Sequence, residues 1–504
     1  MSGLEQQHEV ERKFRVDDTF VMPDVLSLLP AGFTAKDLGT VSMVAEYYDT
    51  EDLRLLCWGI TLRRRQGGLD DGWHLKLPTK NVDGRIELRM PLSDQLPVEF
   101  GDAVASITRG DTLECIATIT TTRSITELGD PNPAIELVND HVSISTANRP
   151  MLNHGVISFN EIELELQDHA YEVEWDALGE ALVDAGARPS TVKKIAAALG
   201  SAVALHPEFD HEIRVKGKSS LSDAFLAYFN EHARNLVLAD ISARLGLADG
   251  IHQMRVSSRR LRSAIKLLEA DLDAERAVAL EGELQWIASE LGAARDVEVQ
   301  FERLAAHAEV LDEEVRDAVL GTLREQLAHR TQSAQGAVLA AIRSDRYQYL
   351  IEDLISATHD PKFIVKGDSK ARDELGKPVA AMWHRLRKGF EHIELDSPSE
   401  EWHRLRIAAK RARYALDLYD QVVDADRLAD RMSMLTDVLG SHQDAHVSQL
   451  LLRELGAQAD GLAAFGLGQL HAYERDFELL DRIRAFDLWK DTRKAASRTK
   501  ALGR

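Results

Sequence analysis

The sequence predicts an α+β multidomain protein, with a mostly β half over residues 1–200 and an all-helical half over residues 220–504. Up to about residue 200, short alternating runs are separated by turn signals such as "GGLDDG" (67–72), "KNVDGR" (80–85) and "GDPNP" (129–133). Beyond it, Pro and Gly thin out and long patterns of Ala, Leu, Arg and Glu take over. A further observation divides the helical half. "IHQMRVSSRRLRSAI" from Ile251 recurs as "WHRLRIAAKRARYAL" from Trp402, and "LGAARD" (291–296) recurs as "LGSHQD" (439–444). Two words in the same order at nearly equal offset imply two related repeats, over about 220–357 and 378–504, each with room for about four helices. Residues 201–219 read as a linker, and "THDPKFIVKGDSKARDELGKP" (358–378) as the joint between repeats.

The totals narrow the function classes. Hydrophobic residues are 44% and charged residues 29% of the chain, as in ordinary soluble globular proteins. The net charge of -22 argues against a general nucleic-acid or anionic-membrane binder, so any anion site must be a local concentration of Lys and Arg. The two cysteines, Cys57 and Cys115, form no CxxC or Cys/His metal spacing. No apolar leader opens the chain and no run approaches a membrane span, so a cytoplasmic protein is expected. "GKSS" (217–220) lacks the earlier Gly of a phosphate-binding loop, since position 212 is Glu, and reads as linker.

In the β half, alternation sorts charge onto one face. "HEVERKF" (8–14) places Glu9, Glu11 and Lys13 together, opposite Val10, Arg12 and Phe14. "TLRRRQ" (61–66) pairs Arg63 with Arg65, and "WHLKLP" (73–78) sets His74 and Lys76 against Trp73, Leu75 and Leu77. "GRIELRMPL" (84–92) sets Arg85, Glu87 and Arg89 against Ile86, Leu88 and Met90. "NEIELELQ" (160–167) puts Glu161, Glu163 and Glu165 on one side. A half-buried sheet with its charged face in water shows the same alternation. Three glutamates in a row repel unless something positive lies among them, however, and the strands divide into acid-rich and base-rich ones. A closed barrel with a polar lumen makes use of both features. Carboxylates would bind Mg²⁺ or Mn²⁺, and Arg and Lys would bind phosphate, which is the general provision for phosphoryl transfer.

These residues resemble the CYTH family, the triphosphate tunnel metalloenzymes. "EVERK" (9–13) matches the family's ExExK signature, followed in order by "YYDT" (47–50), "LRRR" (62–65), "WHLKLP", "RIE" (85–87), "TTR" (121–123), the Asp of "NDHV" (139–142), "EIELEL" (161–166) and "STVKKIAAAL" (190–199). The resemblance implies an N-terminal antiparallel eight-stranded β tunnel with flanking helices, holding a linear triphosphate. By the same likeness, Glu9, Glu11, Asp140, Glu161, Glu163 and Glu165 would hold Mg²⁺ or Mn²⁺. Lys13, Arg63, Arg65, Lys76, Arg85, Arg123 and Lys194 would bind the phosphates, with Lys193 an alternative to Lys194. Glu9, Glu11, Lys13 and Arg65 are the catalytic set it implies. Glu87 is either a further ligand or a partner of Arg85 or Arg89.

In the helical half, His252, Arg255, Arg259, Arg262 and Lys266 follow 3-4-3-4 spacing and form one row, with Arg260 slightly off it. The row rises roughly 21 Å, a length suited to a long polyanion. His403, Arg406, Lys410 and Arg413 repeat the row, with Arg411 beside it. Apolar stripes run alongside: Ile251, Met254, Leu261, Ile265 and Leu268 in one copy, and Trp402, Leu405, Ala409, Ala412 and Leu416 in the other. No acid interrupts either stretch. The repeat is similar to the CHAD family, the conserved-histidine α-helical domain, which is associated with inorganic polyphosphate. That likeness implies a C-terminal all-α pair of pseudo-symmetric four-helix bundles with a basic surface or pore between them. The echo differs, Arg295-Asp296 against Gln443-Asp444, so the two copies need not bind alike.

The two likenesses together imply a metal-dependent triphosphatase acting on inorganic triphosphate, with inorganic polyphosphate as a second partner and polyphosphate granules as a place of action. A catalytically idle polyphosphate tether, or a tunnel enzyme acting on thiamine triphosphate or a nucleoside triphosphate, adenylate cyclase included, would use nearly the same residues.

Overall fold

The computed structural model describes residues 4–68, 70–78, 84–130, 132–146, 156–190, 194–199, 208–209, 213–360, 363 and 369–499. The chain forms two compact units, Met1–Glu208 and Phe209–Arg504.

The first unit is built on strands β1 (Glu5–Val16), β2 (Thr34–Asp49), β3 (Thr61–Gln66), β4 (Gly72–Pro78), β5 (Gly84–Met90), β6 (Glu114–Gly129), β7 (Pro133–Ser145), β8 (Val156–Leu166) and β9 (Arg188–Ser190). They form one antiparallel sheet in the order β5-β4-β3-β2-β6-β7-β8-β1-β9, and β5 also pairs with β1. Eight strands therefore close into a ring, with the three-residue β9 added on β1. That added strand is a departure from the expected eight: among the described residues the sheet has nine strands, eight of them in the ring. β1 makes closure possible by dividing its length, with Glu5–Val10 paired to β5 and Glu11–Val16 to β8.

Directly opposed residues share a face of a sheet. The register runs Glu9 opposite Arg85, Glu87 opposite Lys76, His74 opposite Arg63, Arg63 opposite Tyr47, Val41 opposite Arg123, Arg123 opposite Asp140, Asp140 opposite Glu161, and Glu163 opposite Lys13. One continuous face thus carries the charged positions of the strands around the ring. The other face of β1 and β8 presents Phe14, Ile162, Leu164 and Leu166, which pack against Trp175, Leu178 and Leu182 of a helix over Glu172–Asp184. Short helices α1 (Arg54–Cys57), α2 (Val98–Ala103) and α3 (Ala105–Thr108) precede that helix, α4, and α5 (Lys194–Leu199) follows it. Ile195 of α5 is fully buried with Tyr47, Ile119 and Val142, a cluster that anchors α5 and with it Lys194.

The second unit is helical: α6 (Leu221–Arg244), α7 (Gly250–Leu267), α8 (Ala274–His307), α9 (Glu313–Ile342), α10 (Asp345–His359), α11 (Ala371–His392), α12 (Ser399–Asp420), α13 (Asp426–Gly456) and α14 (Gly461–Ala496). Ser220, Asp273 and Ser344 cap α6, α8 and α10 by accepting backbone N–H bonds. The repeat relates α7 to α12 and α8 to α13. The first repeat carries an additional helix, α10, so the described helices number five and four rather than four and four. The joint is also shorter than the sequence suggests. Residues 371–377 are already helical and Pro378 lies inside α11. Burial of Ala371, Leu375 and Val379 at helical spacing outweighs the backbone bond that Pro removes. Helices of the two halves interlock, with α6 against α11, α7 against α12 and α9 against α14. No described helix is long and apolar enough to cross a membrane.

The α9–α14 crossing depends on a glycine. A Cβ on Gly466 would lie 2.5 Å from both Val315 Cγ1 and Val319 Cγ2, whereas Gly468, on the same helix, has nothing within 4 Å. Gly468→Ala should raise stability by up to about 1 kcal/mol through helix propensity. Gly466→Ala should lower it by about 1–3 kcal/mol through overpacking. Thermal melts followed by far-UV circular dichroism measure both, and equal shifts of one sign would refute this account of the crossing.

Candidate functional site

The ring encloses a cavity of about 1060 Å³, lined among others by Glu11, Lys13, Arg63, Arg65, Lys76, Arg123, Glu163, Glu165 and Lys194. These nine expected residues are brought together. Asp140 and Glu161 are fully buried behind them. The side chains of Glu9 and Arg85, and all of Lys193, lie outside the described residues, although the backbones of Glu9 and Arg85 are directly opposed.

Glu163 organises the acidic wall of β1, β7 and β8. Its Oε1 receives Lys13 Nζ at 3.0 Å and Lys194 Nζ at 2.9 Å, and its Oε2 accepts from Arg123 Nη2 at 2.7 Å. Arg123 also forks Asp140 at 2.9 and 2.7 Å, and Lys194 reaches Asp140 Oδ2 at 2.5 Å. Lys13 pairs with Glu11 at 3.1 Å. Burial opposes the Glu163 charge, but Lys13, Lys194 and Arg123 outweigh it and hold Glu163 well below the usual carboxylate range. Burial likewise opposes the Lys13 charge, and Glu11, Glu163 and Glu161 hold Lys13 well above its ordinary value. Glu161 differs. Burial pushes it up, Lys194 opposes, and Glu163 adds to the rise. Neither of its oxygens makes a hydrogen bond, and its nearest cations are Arg15 at 3.4 Å and Lys194 at 3.5 Å.

Glu87 plays the converse part in the basic wall of β3, β4 and β5. It is fully buried, and it accepts from Arg63 Nη2 at 3.3 Å and Arg89 Nε at 2.6 Å, with Lys76 Nζ at 3.4 Å. His74 Nδ1 lies 3.0 Å from Glu87 Oε1. The structure thus makes Glu87 the partner of Arg89, and of Arg63 and Lys76 besides. Burial, with Arg63 beside it, pushes Arg65 down to about 9. Sequence reasoning named Arg89 only as one alternative partner of Glu87 and assigned no role to Tyr47, Glu136 or Asp70; all four also line the cavity. Alternation signalled Arg89, two residues beyond Glu87. Asp70 lies in a turn, where no period exists to reveal it.

Among the described residues, no group of three or more His, Cys, Asp or Glu is gathered as a preformed metal cluster. The donor set nevertheless fits a hard cation: it is all carboxylate, Glu11 is opposed to Glu165 and Glu165 to Glu136, and Glu161 is buried without a hydrogen bond.

In the helical unit, α7 and α12 pack against one another, and their basic rows draw acids from neighbouring helices. Arg255 Nη1 meets Asp296 at 2.7 Å. Arg262 and Lys266 share Glu281 at 2.7 and 3.0 Å. Arg260 lies 3.6 Å from Asp417, and Arg413 lies 3.6 Å from Asp437. The row that is free of acids in sequence is therefore partly neutralised in space. Arg259, Arg406 and Lys410 form the residual cationic centre. Burial, then Arg406, Arg259 and Arg255, push Lys410 down to about 7, against Asp444. His252 is pushed down by burial and Arg295, whereas His403 Nδ1 sits 2.7 Å from Gln443 Oε1. Arg411 is exposed.

The sequence matches the CYTH domain over residues 7–194 and the CHAD domain over residues 227–453. Uncharacterized protein Rv2226 of Mycobacterium tuberculosis is 31% identical over 94% of this chain and 94% of its own length. PptA from Streptomyces chartreusis aligns with 54% of this chain and 100% of its own at 19% identity, with a TM-score of 0.47. The CHAD domain from the plant Ricinus communis aligns with 57% of this chain and 95% of its own at 26% identity, with a TM-score of 0.45. The chain belongs to the family in which an N-terminal CYTH domain is followed by a C-terminal CHAD domain.

Proposed function

We propose that the β unit hydrolyses inorganic triphosphate with Mg²⁺ or Mn²⁺, and that the helical unit binds inorganic polyphosphate. CYTH domains as a family act on triphosphates. The observation that carries the reading is the single inner face on which Lys13, Arg63, Arg65, Lys76, Arg123 and Lys194 confront Glu11, Glu163 and Glu165. Arg63, Arg65 and Arg123 fork phosphate oxygens, and Lys76 adds a point charge. Lys13 and Lys194 exchange the Glu163 carboxylate for a phosphate oxygen. Glu9, Glu11, Asp140, Glu161, Glu163 and Glu165 would hold the cation, as oxygen donors suited to Mg²⁺ or Mn²⁺. When bound, the cation neutralises the chain and polarises the reacting phosphoryl group. The buried wall keeps these donors fixed, which strengthens their hold on developing charge. In the helical unit, Arg259, Arg406 and Lys410 bind the polyanion between α7 and α12, and His252, Arg255, Arg260, Arg262, Lys266, His403, Arg411 and Arg413 extend its path.

Arg65→Ala and Glu11→Ala should each lower phosphate release from triphosphate by about 100-fold or more while the helical circular dichroism is retained. Chelation of divalent cations should abolish release. Unimpaired turnover in both variants would remove the assignment. In a panel of triphosphate, long-chain polyphosphate, ATP and thiamine triphosphate, the first should turn over fastest; a faster ATP or thiamine triphosphate would transfer the reading to that substrate.

Polyphosphate affinity should depend on pH through Lys410. Its folded value of about 7 is raised by a bound phosphate oxygen, so binding above pH 7 takes up a proton. This group leaves affinity level below about pH 7 and weakens it by at most about tenfold per pH unit above. Lys410→Arg should flatten that dependence in calorimetric titrations. An unchanged slope would show that Lys410 does not contact the chain.

A further inference from the structure

The β3–β4 connection brings an acid into the basic end of the cavity. Gly67, Gly68 and Gly72 have φ of +88°, +100° and +155°. A Cβ on Gly67 would lie 2.3 Å from Ser42 O, and one on Gly72 would lie 2.4 Å from Met90 O. The turn is thus pressed against β2 and β5 at its two ends. Between them Asp70 turns inward. Its Oδ2 pairs with Arg65 Nη2 and lies 3.8 Å from Arg89 Nη2. Its backbone oxygen lies 2.9 Å from His74 Nε2, and the other ring nitrogen of His74 faces Glu87. Asp70 therefore lines the cavity on an arginine that the proposed reaction gives to phosphate.

We propose that Asp70 determines chain length: its carboxylate holds the Arg65–Arg89 end of the cavity, so that a linear triphosphate ends there and a longer chain must displace it. This rests on the reading that linear phosphate chains bind in the cavity. The physical reason is charge. A carboxylate paired with Arg65, and facing an Arg89 that Glu87 already holds, adds a negative charge at this end and repels any phosphate that would extend the row past Arg65. Repulsion placed against the wrong ligand is an ordinary source of discrimination. A structural ion pair that merely secures the turn would not distinguish one chain length from another.

The test compares full-length wild type, Asp70→Asn and Asp71→Asn, the last altering the exposed neighbouring acid. Phosphate release and calorimetric binding are measured with tripolyphosphate and tetrapolyphosphate in the presence of Mg²⁺. Asp70→Asn should lower KM for tripolyphosphate and raise the tetrapolyphosphate-to-tripolyphosphate ratio of kcat/KM by about tenfold, with the same change in the ratio of affinities. Asp71→Asn should leave both ratios at the wild-type value. Equal ratios in wild type and Asp70→Asn would overturn the proposal, as would an equal shift in Asp71→Asn. Absence of phosphate release from wild type defeats only the hydrolytic reading, since the ratio of affinities still reports on Asp70. Absence of binding of either chain to every variant would overturn both.

Discussion

Closing a strand ring around ionised side chains imposes one condition on everything else in the β unit: each buried charge must meet its opposite within the ring. An isolated buried charge left by loss of its partner costs about 3–5 kcal/mol, comparable to much of a domain's net stability. Glu163 meets the condition with Lys13 from β1, Arg123 from β6 and Lys194 from α5. Glu87 meets it with Arg63 from β3, Lys76 from β4 and Arg89 from β5. Each wall therefore contains a member of the other sign, and the two hubs tie together elements distant in sequence. The apolar work is done elsewhere, on the outer face beneath α4 and in the cluster around Ile195. That second cluster also sets the site, because burying Ile195 brings the adjacent Lys194 to the acidic wall.

The helical unit meets the same condition less completely. Apolar stripes secure α7 and α12, with Met254, Leu261, Trp402, Leu405 and Ala409 buried. The cationic rows lie alongside and take counter-charges from other helices. Here the two recurring words of the repeat prove complementary. The first supplies Arg255 and Arg406, and the second supplies Asp296 and Asp444, whose charges act on them. Repetition preserves a helix-to-helix ion relation as well as a helical pattern. The relation is unequal: Arg255 is paired directly, whereas burial depresses Arg406 despite Asp444. Like charges from both repeats accumulate around Lys410, where an external anion would relieve their repulsion.

Much of this was legible because strand and helix periods are local. Alternation identified which residues of β1, β3, β4, β5 and β8 share the charged face, the sorting of that charge by sign pointed it inward, and 3-4 spacing identified the stripes of α7 and α12. Long-range partners were not legible. Nothing in "RRLRSAIK" announces Glu281, which lies on another helix and neutralises Arg262 and Lys266. Asp70 escaped for a different reason: its direction is set by a glycine turn, and turns carry no repeating face. Pro378 was misleading as a boundary because local propensity there yields to the burial of Leu375 and Val379. The added strand β9 is three residues long and shows no alternation to read.

On the proposed reading, internal neutralisation also sets the order in which ligands gain from binding. A lone anion drawing Lys13 and Lys194 away would leave Glu163, Asp140 and Glu161 close together and buried, three carboxylates with Arg123 left to offset Glu163 and Asp140 and Arg15 to offset Glu161. A lone cation taking the carboxylates would leave the two lysines facing Arg123. Each ligand alone thus leaves an excess of one sign in the wall, and each reduces the excess created by the other. Cation and phosphate chain therefore favour one another's binding through partner exchange, by an amount that is reciprocal between them. The same ion pairs that hold the ring together would thereby make the two proposed ligands interdependent.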